Sequence, residues 1–190
     1  TDEEEIEATL GPKGVLAEAS AGALLILHPT VLPATTLQVA AAAKAKQVRV
    51  IDVPITSVPA RVQSGQATFL VGGDKEVAEA ARPYLLELGE SFYYFGPLGS
   101  GNVAKLAKNY ANAATRIAID ESIRVAEAGG LDPKAFLEMM RDLDQGSLVT
   151  TWEKTWTVKD RHAIHRPATN LFNKDVGLTA DYAASMGVDL

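Results

Sequence analysis

Short apolar runs alternate with amphipathic stretches along the first hundred residues. The runs are β-branched or aliphatic and end at Pro, Gly or Ser, as buried strands do; they are Ala23–Leu27, Val48–Val53 and Ala67–Val71. Helical spacing marks the segments 3–10, 37–46 and 75–88, and Pro83 is expected to kink or split the last of them. Phe92–Phe95 predicts a final edge strand. The alternation predicts an α/β domain.

The pattern changes at Gly101, after which helical spacing alone continues. Ala, Leu, Ile and Met recur at this spacing to about Arg141, with a break at Gly129–Pro133. The segment 159–169 contains two His, two Arg and a Pro, which is typical of a surface loop. We therefore predict an α/β domain over residues 1–98 and an all-helical domain over residues 99–190.

Composition narrows the classes of function. The chain is 47% hydrophobic and 22% charged, as globular proteins are, and its net charge of −6 without a basic run disfavours nucleic acids and anionic membranes as partners. The absence of cysteine excludes thiolate chemistry and is compatible with a reducing cytoplasm, where we expect the protein. No apolar run approaches the about 20 residues of a membrane helix. The three histidines lack the spacing of a metal site.

A stripe of polar residues is predicted on the helix that follows Gly99–Gly101. Its members are spaced by four, three and four residues and share one face: Lys105, Asn109, Asn112 and Arg116. The complementary apolar face comprises Val103, Leu106, Ala107, Tyr110, Ala114 and Ile117. Such a stripe alone is more often a solvated surface. Asparagine is a mediocre helix former, however, and a pair of them beside a lysine favours amide groups that hold a ligand.

Two chemical roles follow for this helix. Lys105 would exchange a proton with an alcohol–carbonyl pair if burial lowers its pKa from about 10.4. The small residues Gly99–Gly101 would leave backbone N–H groups and the positive end of the helix dipole open to an anion such as a carboxylate.

Three motifs extend this picture. Gly99–Asn109 reads G-S-G-N-V-A-K-L-A-K-N, Asp52–Ser57 leads through Gly65 to Val71–Gly73, and Lys174–Leu178 reads K-D-V-G-L. In the same order they resemble the G-x-G-x-x-x-K-x-x-x-N, D-A-P-V-S-G-G … V-G-G and K-D-x-x-L motifs of the β-hydroxyacid dehydrogenases. That group contains 3-hydroxyisobutyrate dehydrogenase, tartronate semialdehyde reductase and 6-phosphogluconate dehydrogenase.

The resemblance implies an NAD- or NADP-dependent oxidoreductase acting on a small 3-hydroxy acid or its semialdehyde. Lys105 would be the general acid/base, and no metal would be needed. The implied substrate-binding residues are Thr56, Ser57, Val58, Asn109 and Asn112. The implied cofactor-binding residues are Thr30 and Lys174.

The resemblance also implies a domain plan. Residues 1–98 would be the C-terminal part of a Rossmann-like domain, and residues 99–190 a helical catalytic domain that forms a homodimer or homotetramer, with the active site in the cleft between them. Trp152 and Trp156 would lie in the core or, by preference, at the interface between subunits. Because no G-x-G-x-x-G opens the chain and it stops within an expected helix, we expect a fragment that binds dinucleotide poorly.

One loop departs from the family pattern. Thr56-Ser57-Val58 and Pro59 stand where Ser-Gly-Gly and small residues are usual, so the cradle for the substrate carboxylate must be altered. Arg61 could replace the lost amides, or it could be an ordinary surface arginine. Two alternatives stay open. One is an imine reductase, which shares the architecture, although a lysine at position 105 favours the hydroxy-acid dehydrogenases. The other is a catalytically silent relative that serves in dimerisation or binding.

Overall fold

The computed structural model describes residues 1–143, 145–153 and 166–189, with the helical backbone alone over 166–172. Two compact units make up the chain, Thr1–Ala107 and Lys108–Leu190, and the boundary between them falls inside a long helix.

The first unit alternates helices and strands. In chain order these are α1 (Asp2–Leu10), α2 (Val15–Glu18), β1 (Leu24–Leu27), α3 (Pro33–Ala45), β2 (Arg49–Asp52), α4 (Pro59–Gln63), β3 (Ala67–Gly72), α5 (Lys75–Leu88) and β4 (Gly89–Gly96). Helix α3 begins a turn earlier than predicted because Pro33 occupies its first turn, where a fixed φ and a missing N–H suit a helix start. The predicted split of α5 at Pro83 is wrong, since its buried face, with Ala78, Ala81 and Leu85, outweighs one lost hydrogen bond.

The strands form one mixed sheet in the order β1-β2-β3-β4. The pairs β1/β2 and β3/β4 are parallel, and β2 meets β3 in antiparallel register at Asp52 and Gly72. The antiparallel path continues past β2, where Leu70 N donates to Pro54 O (3.1 Å) and an isolated bridge joins Ile55 to Phe69. This unpredicted step lays residues 53–58 along β3 and thereby positions the loop that the motifs single out.

Helix α1 carries a buried carboxyl group, that of Glu5. The Glu5 side chain is 6% exposed, and its Oε1 has no hydrogen-bond partner among the described residues. Burial raises the pKa of Glu5 above its ordinary value of 4.5. The folded protein holds this proton more tightly than the unfolded chain does. The free energy of unfolding is therefore highest, as far as Glu5 is concerned, below pH 4.5, and it falls as the pH rises through the raised pKa.

Replacement of Glu5 with glutamine is therefore expected to raise the free energy of unfolding at pH 7 by about 1 kcal/mol, and the gain should vanish below the ordinary Glu pKa. Urea titrations from pH 3.5 to 7.5 measure it. Glu3→Gln on the exposed side of the same helix is the matched control, because it carries the same helix-dipole contribution without the burial. A Glu5 variant that behaves like the Glu3 variant at every pH would contradict the expectation.

The second unit is helical throughout its described residues. The long helix α6 (Ser100–Ala128) enters it and is followed by α7 (Pro133–Asp142), α8 (Gly146–Glu153) and α9 (Arg166–Ser185). Its core contains Ile119, Ile123, Leu137, Val149 and Trp152. Within the described ranges, no helix combines the length and the apolarity needed to cross a membrane.

Two predictions for this unit need correction. Trp152 is 0% exposed within the single chain, so it is a core residue and has no surface left for the preferred interface; Trp156 lies outside the described residues. Residues 166–169, predicted as part of a surface loop, belong to α9, because a proline at the second position of a helix is well tolerated. The remaining residues of that predicted loop, 159–165, lie outside the described residues.

Candidate active site

A buried carboxylate occupies the N-terminus of α6. Asp52, the last residue of β2, is 0% exposed; its Oδ1 accepts from Gly99 N (2.7 Å) and its Oδ2 from Asn102 N (2.8 Å). Burial raises the pKa of Asp52, and these backbone hydrogen bonds act in the opposite direction. The interpretation of Gly99–Gly101 as an opening for a ligand carboxylate is therefore wrong: the helix end does attract an anion, but the chain supplies it.

Two glycines permit this close approach. A Cβ on Gly101 would collide with the backbone oxygen of Leu70 and lie 2.9 Å from that of Asp52, and a Cβ on Gly72 would lie 2.7 Å from Gly101 N. Small residues at these positions are thus needed for packing α6 against the end of β3. Gly101, the second glycine of the G-x-G motif, therefore has a packing role.

Lys105 lies in the second turn of α6. Its half-buried side chain reaches the loop after β2, where Nζ donates to Ile55 O at 2.6 Å. The path of that loop is set by β2 on one side and by its pairing with β3 on the other. The structure therefore brings the predicted acid/base group to the predicted substrate loop.

The three predicted residues of that loop differ in what they offer. Thr56 donates its backbone N–H to Thr68 O (2.9 Å), whereas its buried Oγ1 has no hydrogen-bond partner among the described residues. The Ser57 hydroxyl is engaged inside the loop, where it accepts from Thr68 N (3.1 Å) and donates to Gln66 O (3.2 Å). Val58 is 55% exposed with φ −75° and ψ 152°, so this position makes no use of glycine's conformational freedom. Of the three side chains, that of Thr56 has a polar atom without a hydrogen-bond partner among the described residues.

Arg61 does not take up the role considered for it. Its Nη2 pairs with Glu90 Oε1 on β4, and both side chains are about half exposed. The chain already supplies the carboxylate partner, so the alternative of an ordinary surface arginine is the one that the structure supports.

The predicted cofactor residue Thr30 follows β1 and is half-buried. The next residue, Val31, donates its N–H to Asn102 Oδ1 (3.1 Å), and Asn102 Nδ2 donates to Thr36 Oγ1 (3.2 Å). Asn102 is 0% exposed, and sequence reasoning gave it no role. The sequence did contain a signal for Asn102, because this amide lies three residues before Lys105 and therefore on the same side of the helix.

The polar stripe of α6 faces inward. Arg116 is 8% exposed, its Nε donates to Thr151 O (3.1 Å), and burial lowers its pKa. Asn109 and Asn112 are half-buried. The solvated-surface alternative is wrong, because Arg116 is buried and the other members of the stripe are half-buried. The predicted apolar face is correct only in part, since Leu106 is buried whereas Ala107, Ala114 and Ile117 are exposed. Leu106 and Ala113 each follow a member of the polar stripe by one residue, and both are buried. The buried side of the helix therefore consists of the stripe together with these two apolar residues.

In the second unit the structure joins Asn109 to the K-D motif. Asn109 Nδ2 donates to Oδ2 of the buried Asp175 (2.6 Å), and Asp175 Oδ1 lies 3.6 Å from Lys174 Nζ. Because a carboxylate only accepts hydrogen bonds, the amide nitrogen of Asn109 must face Asp175 and the amide oxygen points elsewhere. A predicted substrate residue and a predicted cofactor residue are thus linked through one carboxylate that sequence reasoning did not single out.

Two family models match the chain. One describes the NAD binding domain of 6-phosphogluconate dehydrogenase and covers residues 1–96; the other describes the NAD-binding domain of NADP-dependent 3-hydroxyisobutyrate dehydrogenase and covers residues 99–190. The chain therefore belongs to the β-hydroxyacid dehydrogenase family. The predicted fold class, a Rossmann-type α/β part followed by a helical part, is confirmed.

Individual relatives agree with the family models. The chain is 31% identical to an NAD-dependent L-serine dehydrogenase and 32% identical to a 3-hydroxyisobutyrate dehydrogenase, both of Pseudomonas aeruginosa, over 92% and 89% of this chain. Among solved structures, 3-hydroxyisobutyrate dehydrogenase of Mycobacterium tuberculosis with L-serine superposes with a TM-score of 0.74 at 25% identity, over 93% of this chain and 62% of that one. The chain spans 60% and 59% of the length of the two Pseudomonas proteins.

Proposed function

We propose that the protein is an NAD(P)-dependent oxidoreductase that transfers hydride to or from a small 3-hydroxy acid or its semialdehyde. The observation that carries the proposal is the 2.6 Å hydrogen bond from Lys105 Nζ to Ile55 O, because the next residue of that loop is Thr56, whose buried hydroxyl has no hydrogen-bond partner among the described residues. The names of the relatives support the substrate class, because L-serine and 3-hydroxyisobutyrate are both carboxylic acids with a hydroxyl group on the β-carbon.

Lys105 and Thr56 have different roles in the proposed reaction. In the oxidative direction neutral Lys105 takes the proton of the substrate hydroxyl, the carbon–oxygen bond becomes a carbonyl, and in reduction the lysine returns that proton. The nicotinamide of NAD or NADP accepts or donates the hydride when bound. The Thr56 hydroxyl is the proposed donor of a hydrogen bond to the substrate carboxylate, with the backbone of Ser57 and Val58 completing the contact.

The end of β1 fits the nicotinamide cofactor. Ligands of open α/β sheets bind beyond the carboxyl ends of parallel strands. Thr30 follows the carboxyl end of β1, and residues 53–58 follow that of its parallel neighbour β2, so the proposed cofactor and substrate residues of this unit share one edge of the sheet. Lys174 is the proposed cofactor contact of the second unit, and Asn109 and Asn112 supply amides for the substrate.

The helical part is the proposed site of assembly. The proposal assigns residues 1–98 to cofactor binding and residues 99–190 to catalysis and to formation of a homodimer or homotetramer. Large apolar side chains on α6 and after it support the assembly, since Ile117, Val125 and Leu131 are 53%, 75% and 58% exposed. The proposed location is the cytoplasm, which the absence of cysteine supports.

The test is NAD(P)H absorbance during incubation of the full-length protein with 3-hydroxyisobutyrate, L-serine and their semialdehydes, with a cyclic imine as a further substrate. Turnover of a hydroxy acid is the expected result. Reduction of the imine alone would establish the imine reductase alternative, and cofactor binding without turnover of any substrate would establish the silent relative.

The Thr56→Val variant tests whether the hydroxyl contributes to substrate binding and not to stability. Loss of the hydroxyl is expected to raise KM for the hydroxy acid about 10- to 100-fold, the range of a hydrogen bond to a charged group. The free energy of unfolding should stay equal or rise, because the hydroxyl has no partner to lose among the described residues. Steady-state kinetics and urea titrations measure the two effects.

Ser57→Ala in the same loop is the matched control for Thr56→Val. It removes two internal hydrogen bonds and is expected to cost about 1–2 kcal/mol of stability. A Thr56 variant with unchanged KM, or with a stability loss like that of the Ser57 variant, would contradict the proposed contact.

A further inference from the structure

Asn102 makes three hydrogen bonds, and each goes to a different segment of the first unit. Its backbone N–H donates to Asp52 Oδ2 (2.8 Å), its Oδ1 accepts from Val31 N (3.1 Å), and its Nδ2 donates to Thr36 Oγ1 (3.2 Å). All four residues are 0% exposed, so water does not compete for these bonds. The first turn of α6 is thereby tied to β2, to the loop after β1 and to α3.

The chemistry of this position calls for an amide. A backbone N–H can only donate, so the atom that faces Val31 must be the amide oxygen, and the nitrogen is left to donate to Thr36. Leucine of similar volume would leave the Val31 N–H buried without its partner, and aspartate would add a second buried carboxylate beside Asp52.

The bond to Val31 joins two functional positions. Val31 follows Thr30, the proposed cofactor residue, and Asn102 precedes Lys105 by one helical turn on the same side. The bond therefore links the loop that contains Thr30 to the helix that carries Lys105.

We propose that Asn102 is a positioning residue, resting on the proposed function, that holds the Thr30 loop in fixed register with the Lys105 helix. Hydride and proton transfer must happen at neighbouring atoms of one substrate, and small displacements of the groups that handle them lower the rate steeply. Asn102 acts through the Val31 N–H on the cofactor side and through its own backbone on the lysine side. It touches neither cofactor nor substrate.

The experiment compares Asn102→Ala with Thr36→Val in the full-length protein. Both variants cut a hydrogen bond of the same amide, but only the first cuts the bond to Val31. In Asn102→Ala we expect amide hydrogen exchange at Val31 to accelerate more than tenfold and the Kd of NAD(P)H to rise about tenfold, with lower kcat and a nearly unchanged KM for the hydroxy acid. In Thr36→Val we expect lower stability while Val31 exchange, cofactor Kd and kcat remain those of the wild type.

Three results would overturn the proposal. Unchanged Val31 exchange and cofactor Kd in Asn102→Ala would show that the bond positions nothing. Equal changes in both variants, in proportion to their loss of stability, would show a structural role alone. A wild-type protein that binds neither nucleotide would overturn the inference together with the proposed function. A wild type that binds NAD(P)H but turns over no hydroxy acid would refute the proposed function, and the Kd comparison would still decide on Asn102.

Discussion

Exchange of Lys105 for methionine is expected to lower kcat for the hydroxy acid by about 10²- to 10⁴-fold, the usual contribution of a positioned acid/base group. Methionine keeps the length and most of the apolar volume of the side chain, so the half-buried stem still packs. The lost hydrogen bond to Ile55 O is expected to cost only about 1 kcal/mol of stability. A large kinetic effect in a folded protein is the outcome that supports the proton-transfer role.

Lys105→Arg distinguishes proton transfer from charge. Arginine can keep a positive group near Ile55 O, but it does not release its proton at neutral pH. If Lys105 transfers a proton, the arginine variant is expected to be as inactive as the methionine variant. If the residue only supplied positive charge, most of kcat would return in Lys105→Arg.

Lys44→Met on the exposed side of α3 is the control for the loss of one positive charge in the first unit, and it should leave kcat unchanged. Stopped-flow absorbance of NAD(P)H, read for the chemical step, measures all three variants. Turnover of the Lys105 variants within a few-fold of the wild type would refute the assignment.

Gly101→Ala is expected to lower the free energy of unfolding by about 3 kcal/mol or more, the upper range of overpacking. Helix propensity alone predicts the opposite, because alanine is favoured over glycine inside a helix by about 1 kcal/mol. The added Cβ would collide with the backbone oxygen of Leu70 and lie 2.9 Å from that of Asp52. Backbone atoms of a central strand cannot move aside, so α6 itself must shift.

Gly177→Ala is the matched control for Gly101→Ala. It makes the same exchange inside α9, where an added Cβ would have no neighbour within 4 Å among the described residues beyond its own turn of helix, and a gain of about 0.5–1 kcal/mol is expected. Thermal and urea unfolding compare the two variants. Because α6 carries Lys105, the Gly101 variant should also lose turnover below its melting temperature. A neutral or stabilising Gly101→Ala would contradict the close approach of α6 to β3.

Local pattern was enough to predict the four strands and the longer helices of the first unit, and the helical character of the second. Four strands and the main helices appear within a few residues of their predicted bounds, because periodicity along the chain reports which side of an element is buried. The pairing of β2 with β3 was not predictable in this way. Strand direction depends on how the chain turns back between Asp52 and β3, through α4 and Gly65 with its φ of 71°, and the apolar periodicity of the two strands does not encode that path.

The candidate site likewise contains residues that local motifs predict and contacts that they do not. Motif spacing along one helix predicts Lys105 as a site residue, and the strand-to-loop motif predicts Thr56, since both are local properties of the sequence. The partners of Asp52, Arg61 and Asn109 were not visible. Each is joined to a group far away in the chain, at separations of 47 residues for Asp52 to Gly99, 29 for Arg61 to Glu90 and 66 for Asn109 to Asp175.

The sequence by itself determined the family, the order of the strands and main helices and the position of the lysine that we propose as the acid/base group. Tertiary structure alone decided which anion occupies the start of α6, which side of that helix is buried and which hydroxyl of the loop is left without a partner. The physical reason is that periodicity and motif spacing are set by neighbouring residues. Hydrogen-bond partners of buried groups are chosen among whatever atoms the packed elements bring within about 3 Å, and no local pattern encodes that choice.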